Sequence, residues 1–237
     1  MAELSVATFN THWGVDMCAR PFDVVQVCRG LDADVLVLQE CWRPFGRPAY
    51  VDQIAVATGA TLRDVTFMSD RNRARPRHLV VTPDGPAGTC GLAVLSRLPV
   101  LAWYDVPLPH VGGDVVHRRH SLVATLDVGG TPVTIGAVHA SHRLWGSLPQ
   151  LRRVDRELAA IGAPNAIVGD CNMWGPPIAA VLRGRRRAVR GRTWPAWGPH
   201  SQIDHVWVGP DLEPIDPWIG RPVGSDHLPV RVTLRVA

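Results

Sequence analysis

The chain alternates short apolar runs with polar connections, which is the pattern of strands in a layered fold. The apolar runs predict β-strands at 4–10, 34–40, 91–96, 121–128, 132–139, 165–170, 203–208 and 228–236. Two further segments, 22–31 and 148–162, have helical spacing, and in the second one face carries Leu148, Leu151, Val154, Leu158 and Ile161. Gly129-Gly130-Thr131 joins two of the strands and predicts a hairpin. The pattern therefore predicts α/β layers with much antiparallel pairing.

The composition is that of a folded domain with a sizeable core. Hydrophobic residues make up 46% of the chain and charged residues 19%. Linkers and repeats are absent from the sequence, so we expect one domain over residues 1–237. The N-terminus lacks the pattern of a signal peptide, and the sequence has no apolar run approaching ~18 residues. We therefore expect a cytoplasmic protein that does not span a membrane.

Two residue types exclude whole classes of chemistry. The 5 cysteines are widely separated and form no CxxC pair, which argues against a disulfide framework or a zinc ribbon and favours buried free thiols. All 25 basic residues counted as Lys or Arg are arginine. The absence of lysine from the sequence excludes Schiff-base chemistry and a Walker-type nucleotide loop. The formal charge of +4 is compatible with a nucleic-acid partner without requiring one.

Two arginine-rich stretches, Arg71 to Arg77 and Arg183 to Arg192, interrupt the pattern and are predicted surface loops. In the second stretch we predict that arginines bind the phosphates of a polyanionic substrate, with Arg185, Arg186 and Arg187 as the candidates. Nearby tryptophans have two readings that stay open. Base stacking is one, and packing at the rim of the core is the other, for Trp174, Trp194 and Trp197.

Polar residues stand at the downstream ends of the predicted strands, where side chains of a layered sheet converge on one rim. They are Asn10, Glu40, His139, Asp170 with Asn172, Asp204, and Asp226 with His227. Carboxylate and carboxamide oxygens suit a hard cation such as Mg²⁺ better than zinc. Asp, Asn and His side chains also suit the hydrolysis of a phosphate ester, which needs an oriented water, donors for developing charge and a stabilised leaving group.

Ordered motifs extend this reading over almost the whole chain. They are ATFN (7–10), LQE (38–40), GLAVLSRLP (91–99), AVHASH (137–142), GDCN (169–172), IDHVWV (203–208) and GSDHLPV (224–230). In this order they resemble the motifs of the endonuclease/exonuclease/phosphatase superfamily, whose type is deoxyribonuclease I. The resemblance implies a four-layer α/β/β/α sandwich of two packed mixed sheets with flanking helices. It also implies a phosphoesterase that uses Mg²⁺, for which Mn²⁺ can substitute.

The resemblance implies a metal site at the rim of the sheets. Glu40 would be the principal ligand, Asn10 would contact the metal or the phosphate beside it, and Asp226 would lie next to the metal. Arg119 stands where many relatives carry an arginine, so it is a candidate for a phosphate contact. A salt bridge or surface solvation is the alternative for this residue.

The resemblance also implies roles in the chemistry. Asp170 would position and activate the attacking water, and Asn172 would donate a hydrogen bond to the phosphoryl group. His227, oriented by Asp204, would contact the scissile phosphate as a cation or proton donor. His139 would be a second catalytic histidine or a phosphate ligand, and a histidine at this position resembles the branches other than the abasic-site endonucleases.

The motifs argue against two rival classes of protein, whereas the class of substrate stays open. A calcineurin-like metallophosphatase would need an early DxH and a GNH motif, which this sequence lacks. A non-catalytic member of the superfamily would lack a site residue, whereas every motif here is complete. The substrate is open between nucleic acid, which we favour because of the basic stretch, and a small phosphoester or lipid headgroup.

Overall fold

The strands account for most of the fold in this computed structural model, which describes residues 2–70, 87–116, 118–143 and 145–237. In chain order they are β1 Glu3–Asn10, β2 Val35–Pro44, β3 Thr61–Asp70, β4 Gly88–Ser96, β5 Val100–Pro107, β6 His120–Val128, β7 Thr131–His139, β8 Asn165–Asp170, β9 Arg186–Arg187, β10 Asp204–Val208, β11 Leu212–Ile219 and β12 Val230–Val236. The helices are α1 Val24–Leu31, α2 Tyr50–Thr58, α3 Ser147–Ile161 and α4 Gly175–Val181, with a short 3-10 turn at His12–Gly14.

The strands form two mixed sheets of six strands each. The first has the order β11-β12-β1-β2-β4-β3 and the second β5-β6-β7-β8-β10-β9. In each sheet one pair is parallel, β1 with β2 and β7 with β8, and the neighbouring pairs are antiparallel. The predicted hairpin is confirmed, because β6 pairs antiparallel with β7 through a turn at Gly129 and Gly130.

Three apolar layers hold the sheets and helices together. The central layer lies between the sheets and includes Val6 and Val37 of the first sheet and Ile135 and Val168 of the second. One outer layer packs α1 and α2 on the first sheet, and the other packs α3 and α4 on the second. The four-layer α/β/β/α sandwich is therefore confirmed.

Alternation along the strands decides which side chains face the space between the sheets. In β1, for example, Leu4 and Val6 pack in the central layer whereas Ala7 and Phe9 pack under the helices. The inward face continues to Asn10 at the end of the strand because successive side chains point to opposite faces. A polar residue of the correct parity thus reaches the rim between the two sheets.

The predicted strands and both predicted helices are present with shifts of a few residues at their ends. Sequence patterning missed strands β3, β5, β9 and β11 and helices α2 and α4. Strand β5 lies at a sheet edge and exposes Leu101, so its pattern lacks a clean alternation. Strand β11 contains a bulge and two prolines, Pro214 and Pro217, which sheets tolerate at edges.

Two other expectations, for the cysteines and for the first arginine-rich loop, are not fully confirmed. Four cysteines are buried free thiols as expected, whereas Cys18 is free but exposed, so the expectation is wrong for that residue. The predicted loop from Arg71 to Arg77 lies outside the described residues. Within the described ranges, no helix has both the length and the apolar character needed to cross a membrane.

Candidate active site

Three polar residues form a row across the rim of the second sheet. His139 of β7 is the register partner of Asp170 in β8, which is the partner of Asp204 in β10. All three follow the inward parity of their strands, since Ala137, Val168 and Val206 pack in the central layer. The row is buried, with His139 8% and Asp204 0% exposed.

The structure corrects the expected position of Asp204 along its strand. It is the first residue of β10 rather than a residue at the downstream end. Asp204 still reaches the common rim because β10 runs antiparallel to β8, so that its start lies beside the end of β8. The loop that carries Asp226 and His227 likewise precedes β12, which runs antiparallel to β1.

His227 is paired with Asp204 through a hydrogen bond that fixes its ring. Its Nδ1 donates to both carboxylate oxygens of Asp204, at 3.0 and 2.9 Å. Its Nε2 lies 4.0 Å from an oxygen of Asp170 and 3.9 Å from an oxygen of Asp226. Burial alone would lower the pKa of His227, but the charge of Asp204, with those of Asp170 and Asp226, raises it to about 10. The imidazole is therefore a buried cation at neutral pH.

Asp170 is held by donors on both sides. Its Oδ1 accepts a hydrogen bond of 2.8 Å from the backbone N–H of Asn172, and its Oδ2 accepts one of 3.1 Å from the amide of Asn10. Burial raises the pKa of Asp170 to about 7, in spite of the opposing charge of His227. The carboxyl group thus exchanges its proton near neutral pH.

Asn172 follows Asp170 in a backbone conformation that a polar side chain tolerates. Its φ of 48° lies in the left-handed region, in which asparagine is enriched among residues with a side chain. Its Nδ2 donates to the carbonyl oxygen of Ala140 at 3.0 Å. A carboxamide nitrogen carries two N–H groups, so one donor of Asn172 is left for a ligand at the rim.

Glu40 reaches the rim because of a bulge in β2. Leu36 and Leu38 pack under the helices, and simple alternation would send Glu40 to the same outer face. The register with β4 shifts between Leu38 and Cys41, and Glu40 has a φ of 54°. The bulge turns the carboxylate towards Asn10, whose Nδ2 donates to Oε1 of Glu40 at 3.2 Å. A non-glycine residue in this conformation costs free energy, as is common at functional sites.

His139 stands between Glu40 and Asp170. Its Nε2 lies 3.8 Å from Oε1 of Glu40 and 3.7 Å from Oδ2 of Asp170. Burial, together with the charge of Arg119, holds the pKa of His139 well below its ordinary value. The two histidines of the site therefore differ in charge at neutral pH, His139 being neutral and His227 protonated.

Arg119 lies behind His139, in a position that favours the salt-bridge alternative over a phosphate contact. Its Nε and Nη2 donate to the two carboxylate oxygens of Asp114, at 3.0 and 3.3 Å, and its Nη1 donates to the carbonyl oxygen of His139 at 3.1 Å. Its side chain is 3% exposed. Burial by itself would raise the pKa of Asp114, but its hydrogen bonds with Arg119 and its neighbours lower that pKa to about 2.

Sequence reasoning assigned no role to Ser225 and no contact to Trp194, although both lie in or near the quoted motifs. The Oγ of Ser225 donates to the carbonyl oxygen of Asn10 at 2.7 Å and accepts from the backbone N–H of His227 at 3.1 Å, which ties the two loops together. The indole N–H of Trp194 donates to Oδ2 of Asp226 at 3.1 Å. The position of Ser225 directly before Asp226 was the available signal.

The polar side chains at the rim carry an excess of negative charge. The site holds the carboxylates of Glu40, Asp170, Asp204 and Asp226, and Asp170, Asp204 and Asp226 lie around the imidazolium of His227. Oxygen ligands with uncompensated negative charge are what a hard divalent cation requires. The residues at the rim therefore fit such a cation.

One trio within the site is geometrically able to hold a metal ion but chemically unsuited to it. Ligand atoms of Asp170, Asp204 and His227 lie within 4.8 Å of one another. The Nδ1 of His227 donates to Asp204, and a pKa of about 10 keeps the other nitrogen protonated as well. A protonated imidazole offers no lone pair to a metal, so the side of the site around Glu40 and Asn10 is the better place for a cation.

The three candidate arginines do not share one environment. Arg185 donates to Asp155 at 2.6 Å and to the side chain of Asn165 at 2.6 Å, and Arg186 donates to the carbonyl oxygen of Leu212 at 2.8 Å. Asn165 begins β8, so these contacts lie about 17 Å along the strand from Asp170. Substrate binding by Arg185 and Arg186 stays a prediction that this position does not support. Arg187 instead pairs with Trp207 of β10, and its Nη1 lies against the backbone of Gly175 at the start of α4.

Two exposed indoles lie close in the chain to residues of the site. Trp174 is 50% exposed and follows Asn172 by two residues in the chain. Trp197 is 64% exposed and follows Ala196, whose N–H donates to the carbonyl oxygen of Asp226 at 2.7 Å. Trp194 instead points its N–H at Asp226, so it belongs to the site itself. Packing at the rim of the site thus describes Trp194, whereas base stacking stays a prediction for Trp174 and Trp197.

The two-sheet α/β sandwich brings carboxylates, carboxamides and histidines together at one shared rim. The sequence matches the Endonuclease/Exonuclease/phosphatase family over residues 7–227. The chain therefore belongs to this family, whose members are phosphoesterase hydrolases. The family expected from the motifs is confirmed.

Solved structures agree with this assignment at the level of the fold. An endonuclease/exonuclease/phosphatase from Beutenbergia cavernae DSM 12333 is 24% identical, with a TM-score of 0.75 over 100% of this chain and 72% of that one. A functionally unknown conserved protein from Enterococcus faecalis V583 is 17% identical, with a TM-score of 0.73 over 99% of this chain and 100% of that one. The mannosyl-6-phosphatase Bt3783 from Bacteroides thetaiotaomicron VPI-5482 is 16% identical, with a TM-score of 0.68 over 98% and 99%. No curated protein matches the sequence.

Proposed function

We propose that the protein is a Mg²⁺-dependent phosphoesterase, with Mn²⁺ as a substitute, that hydrolyses its substrate by direct attack of water. The observation that carries the proposal is the buried row His139, Asp170 and Asp204, with His227 held as a cation beside it. A base that titrates near neutral pH and a fixed proton donor lie at one rim, as general acid–base hydrolysis requires. The proposal extends to residues 1–237 as one domain.

Glu40, Asn10 and Asp226 are the residues that we propose hold the cation. Glu40 and Asp226 offer carboxylate oxygens, and the bulge in β2 directs Glu40 to the same rim as Asn10, whose carboxamide lies beside it. When bound, the cation supplies charge stabilisation for the phosphoryl oxygens and the leaving oxygen. The indole N–H of Trp194 donates a hydrogen bond to Asp226 and so orients this proposed metal ligand.

The residues of the row have distinct roles in this proposal. Asp170 orients the attacking water and takes its proton, which suits a carboxyl group with a pKa of about 7. Asn172 donates its free N–H to a phosphoryl oxygen, and His227 donates its Nε2–H to the phosphate. Asp204 fixes the ring of His227. His139, whose imidazole is uncharged at neutral pH, is a hydrogen-bonding partner for the phosphoryl group.

For the substrate we propose nucleic acid first. The exposed indoles of Trp174 and Trp197 flank the site and offer flat apolar faces on which bases can stack. A small phosphoester or lipid headgroup is the second candidate, and the similarity to a mannosyl-6-phosphatase is the observation that favours it. The proposed metal-dependent hydrolysis is the same for single-stranded and double-stranded nucleic acid.

A hydrolysis screen tests these assignments. The purified chain is incubated with Mg²⁺ and with single- and double-stranded DNA, RNA, phosphomonoesters including mannose 6-phosphate, inositol phosphates and sphingomyelin. The Asp170→Asn variant is the control for contaminating activity. Cleavage of nucleic acid alone supports the nuclease assignment, whereas turnover of a monoester alone supports the second candidate. Activity that is equal in the variant would contradict the proposed site.

A further inference from the structure

Tyr50, the first residue of α2, contacts the neighbouring strands β1 and β2 where both reach the rim. Its hydroxyl lies 2.8 Å from Oγ1 of Thr11, the residue that follows β1, and it accepts a hydrogen bond of 2.9 Å from the backbone N–H of Trp42 in β2. Its ring packs on the turn after β1, because a Cβ placed on Gly14 would lie 3.1 Å from Cε1 of Tyr50. The proposed chemistry gives this side chain no role.

The number of protons available sets the direction of each bond around the Tyr50 hydroxyl. Oγ1 of Thr11 lies 2.8 Å from the carbonyl oxygen of Gln39 and 3.3 Å from that of Glu40, so its single proton goes to the nearer acceptor. Thr11 is then the acceptor for the O–H of Tyr50. The bonds thus form a chain from the N–H of Trp42, through the two hydroxyl groups, to the carbonyl oxygen of Gln39. This hydroxyl chain joins the backbone on both sides of Glu40.

The bulge that turns Glu40 to the rim needs such partners. From Leu38 to Cys41 strand β2 advances by three residues, whereas its register partners in β4 advance by two. A bulge interrupts the ladder, so backbone groups next to it must find other hydrogen bonds. The φ of 54° at Glu40 is unfavourable for a residue with a side chain and persists only where the surroundings impose it. The hydroxyl chain supplies both the partners and the constraint.

Helix α2 is anchored independently of this hydroxyl. The guanidinium of Arg43 in β2 donates to both carboxylate oxygens of Asp52, at 2.9 and 2.8 Å. Val51 and Ile54 of the helix are fully buried in the layer on the first sheet. Removal of one oxygen from Tyr50 should therefore alter the bulge more than the position of the helix.

We propose that Tyr50 is a positioning residue, whose hydroxyl holds the β2 bulge in the form that turns Glu40 into the site. The proposal rests on the proposed function only for the role of Glu40 as a cation ligand. Without the hydroxyl, the N–H of Trp42 loses its acceptor and Oγ1 of Thr11 loses a donor. Glu40 can then turn back towards the outer face that simple alternation gives it, away from Asn10.

The first experiment follows the position of Glu40 without a metal or a substrate. Nε2 of His139 lies 3.8 Å from Oε1 of Glu40, so the nitrogen NMR resonances of this ring respond to a displaced carboxylate. In Tyr50→Phe at fixed pH we expect the His139 resonances to shift in the direction that Glu40→Gln produces, with those of His227 unchanged. Tyr104→Phe is the matched control, because Tyr104 is the other tyrosine of the chain and is exposed on β5. Unchanged His139 resonances in Tyr50→Phe would overturn the proposal.

The second experiment measures cation binding without turnover, by calorimetric titration with Mn²⁺. Tyr50→Phe should bind Mn²⁺ about 10-fold more weakly, which is the effect expected when a group that orients a metal ligand is removed. Thr11→Val removes the other hydroxyl of the chain and should give the same loss, so it decides the matter if thermal unfolding shows that Tyr50→Phe does not fold. A Kd in Tyr50→Phe equal to that in Tyr104→Phe would overturn the proposal. If the wild type binds no cation, the proposed metal site fails, whereas the His139 resonances still decide whether Tyr50 holds Glu40.

Discussion

The charge of His227 is the feature of the site most open to direct measurement. The rise of its pKa from 6.5 to about 10 corresponds to about 5 kcal/mol in favour of the imidazolium. Asp204, hydrogen-bonded at 2.9 Å, is the nearest source of this stabilisation, whereas Asp170 and Asp226 lie 4.0 and 3.9 Å from the ring. We therefore expect Asp204→Asn to lower the pKa of His227 by about 1–3 pH units.

The same substitution has a signed effect on stability. A raised histidine pKa stabilises the fold fully below pH 6.5, and this contribution is lost as the pH rises through about 10. The loss of unfolding free energy in Asp204→Asn should thus be about 1–4 kcal/mol at pH 6 and should shrink towards pH 10. Denaturant unfolding at several pH values measures it. Turnover should also fall, by about 10²–10⁴-fold, because the proton donor loses its orientation.

Nitrogen NMR of the histidine rings gives the decisive reading, since it follows the protonation of His227 without a substrate. Asp155→Asn is a matched control, because it removes a carboxylate that pairs with Arg185 away from the site. The reasoning is refuted if His227 in the wild type titrates near 6.5. It is equally refuted if the pKa of His227 stays near 10 in Asp204→Asn.

Three further predictions address the other parts of the site. Chelation should abolish hydrolysis, Mg²⁺ or Mn²⁺ should restore it, and Glu40→Gln should need a much higher metal concentration; full activity of a metal-stripped preparation would contradict this. Asp170→Asn should lose several orders of magnitude in turnover yet gain about 1–3 kcal/mol of stability at pH 8 and little at pH 4. The reason is that burial raises the pKa of this carboxyl, so its ionised form costs stability above about pH 7 and the cost is absent below 3.8. A variant less stable than the wild type at pH 8 would argue against a desolvated charge. Trp194→Phe should weaken the apparent metal affinity about tenfold by removing the donor to Asp226, whereas Trp197→Phe, at an exposed indole, should not; metal titrations of activity compare the two.

The residues of the row were predictable because strand parity is a local property of the sequence. His139 and Asp170 extend runs of inward-facing apolar residues, so a period of two places them on the face between the sheets. The motifs around them identify the family on the same local basis. The sequence also predicted the layered α/β architecture, since amphipathic strands and helices must cover one another.

Tertiary structure decided the rest, because it depends on contacts between segments far apart in the chain. Glu40 has the wrong parity for the site and reaches it through a bulge that only the pairing of β2 with β4 defines. Asp204 meets Asp170 because β10 runs antiparallel to β8, a direction that its own sequence does not encode. The arginines of one basic stretch likewise differ in what surrounds them, since Arg185 pairs with Asp155 and Arg187 lies against the start of α4. Local periodicity fixes which face a side chain takes, whereas partner, direction and charge compensation are set by the packing of the whole chain.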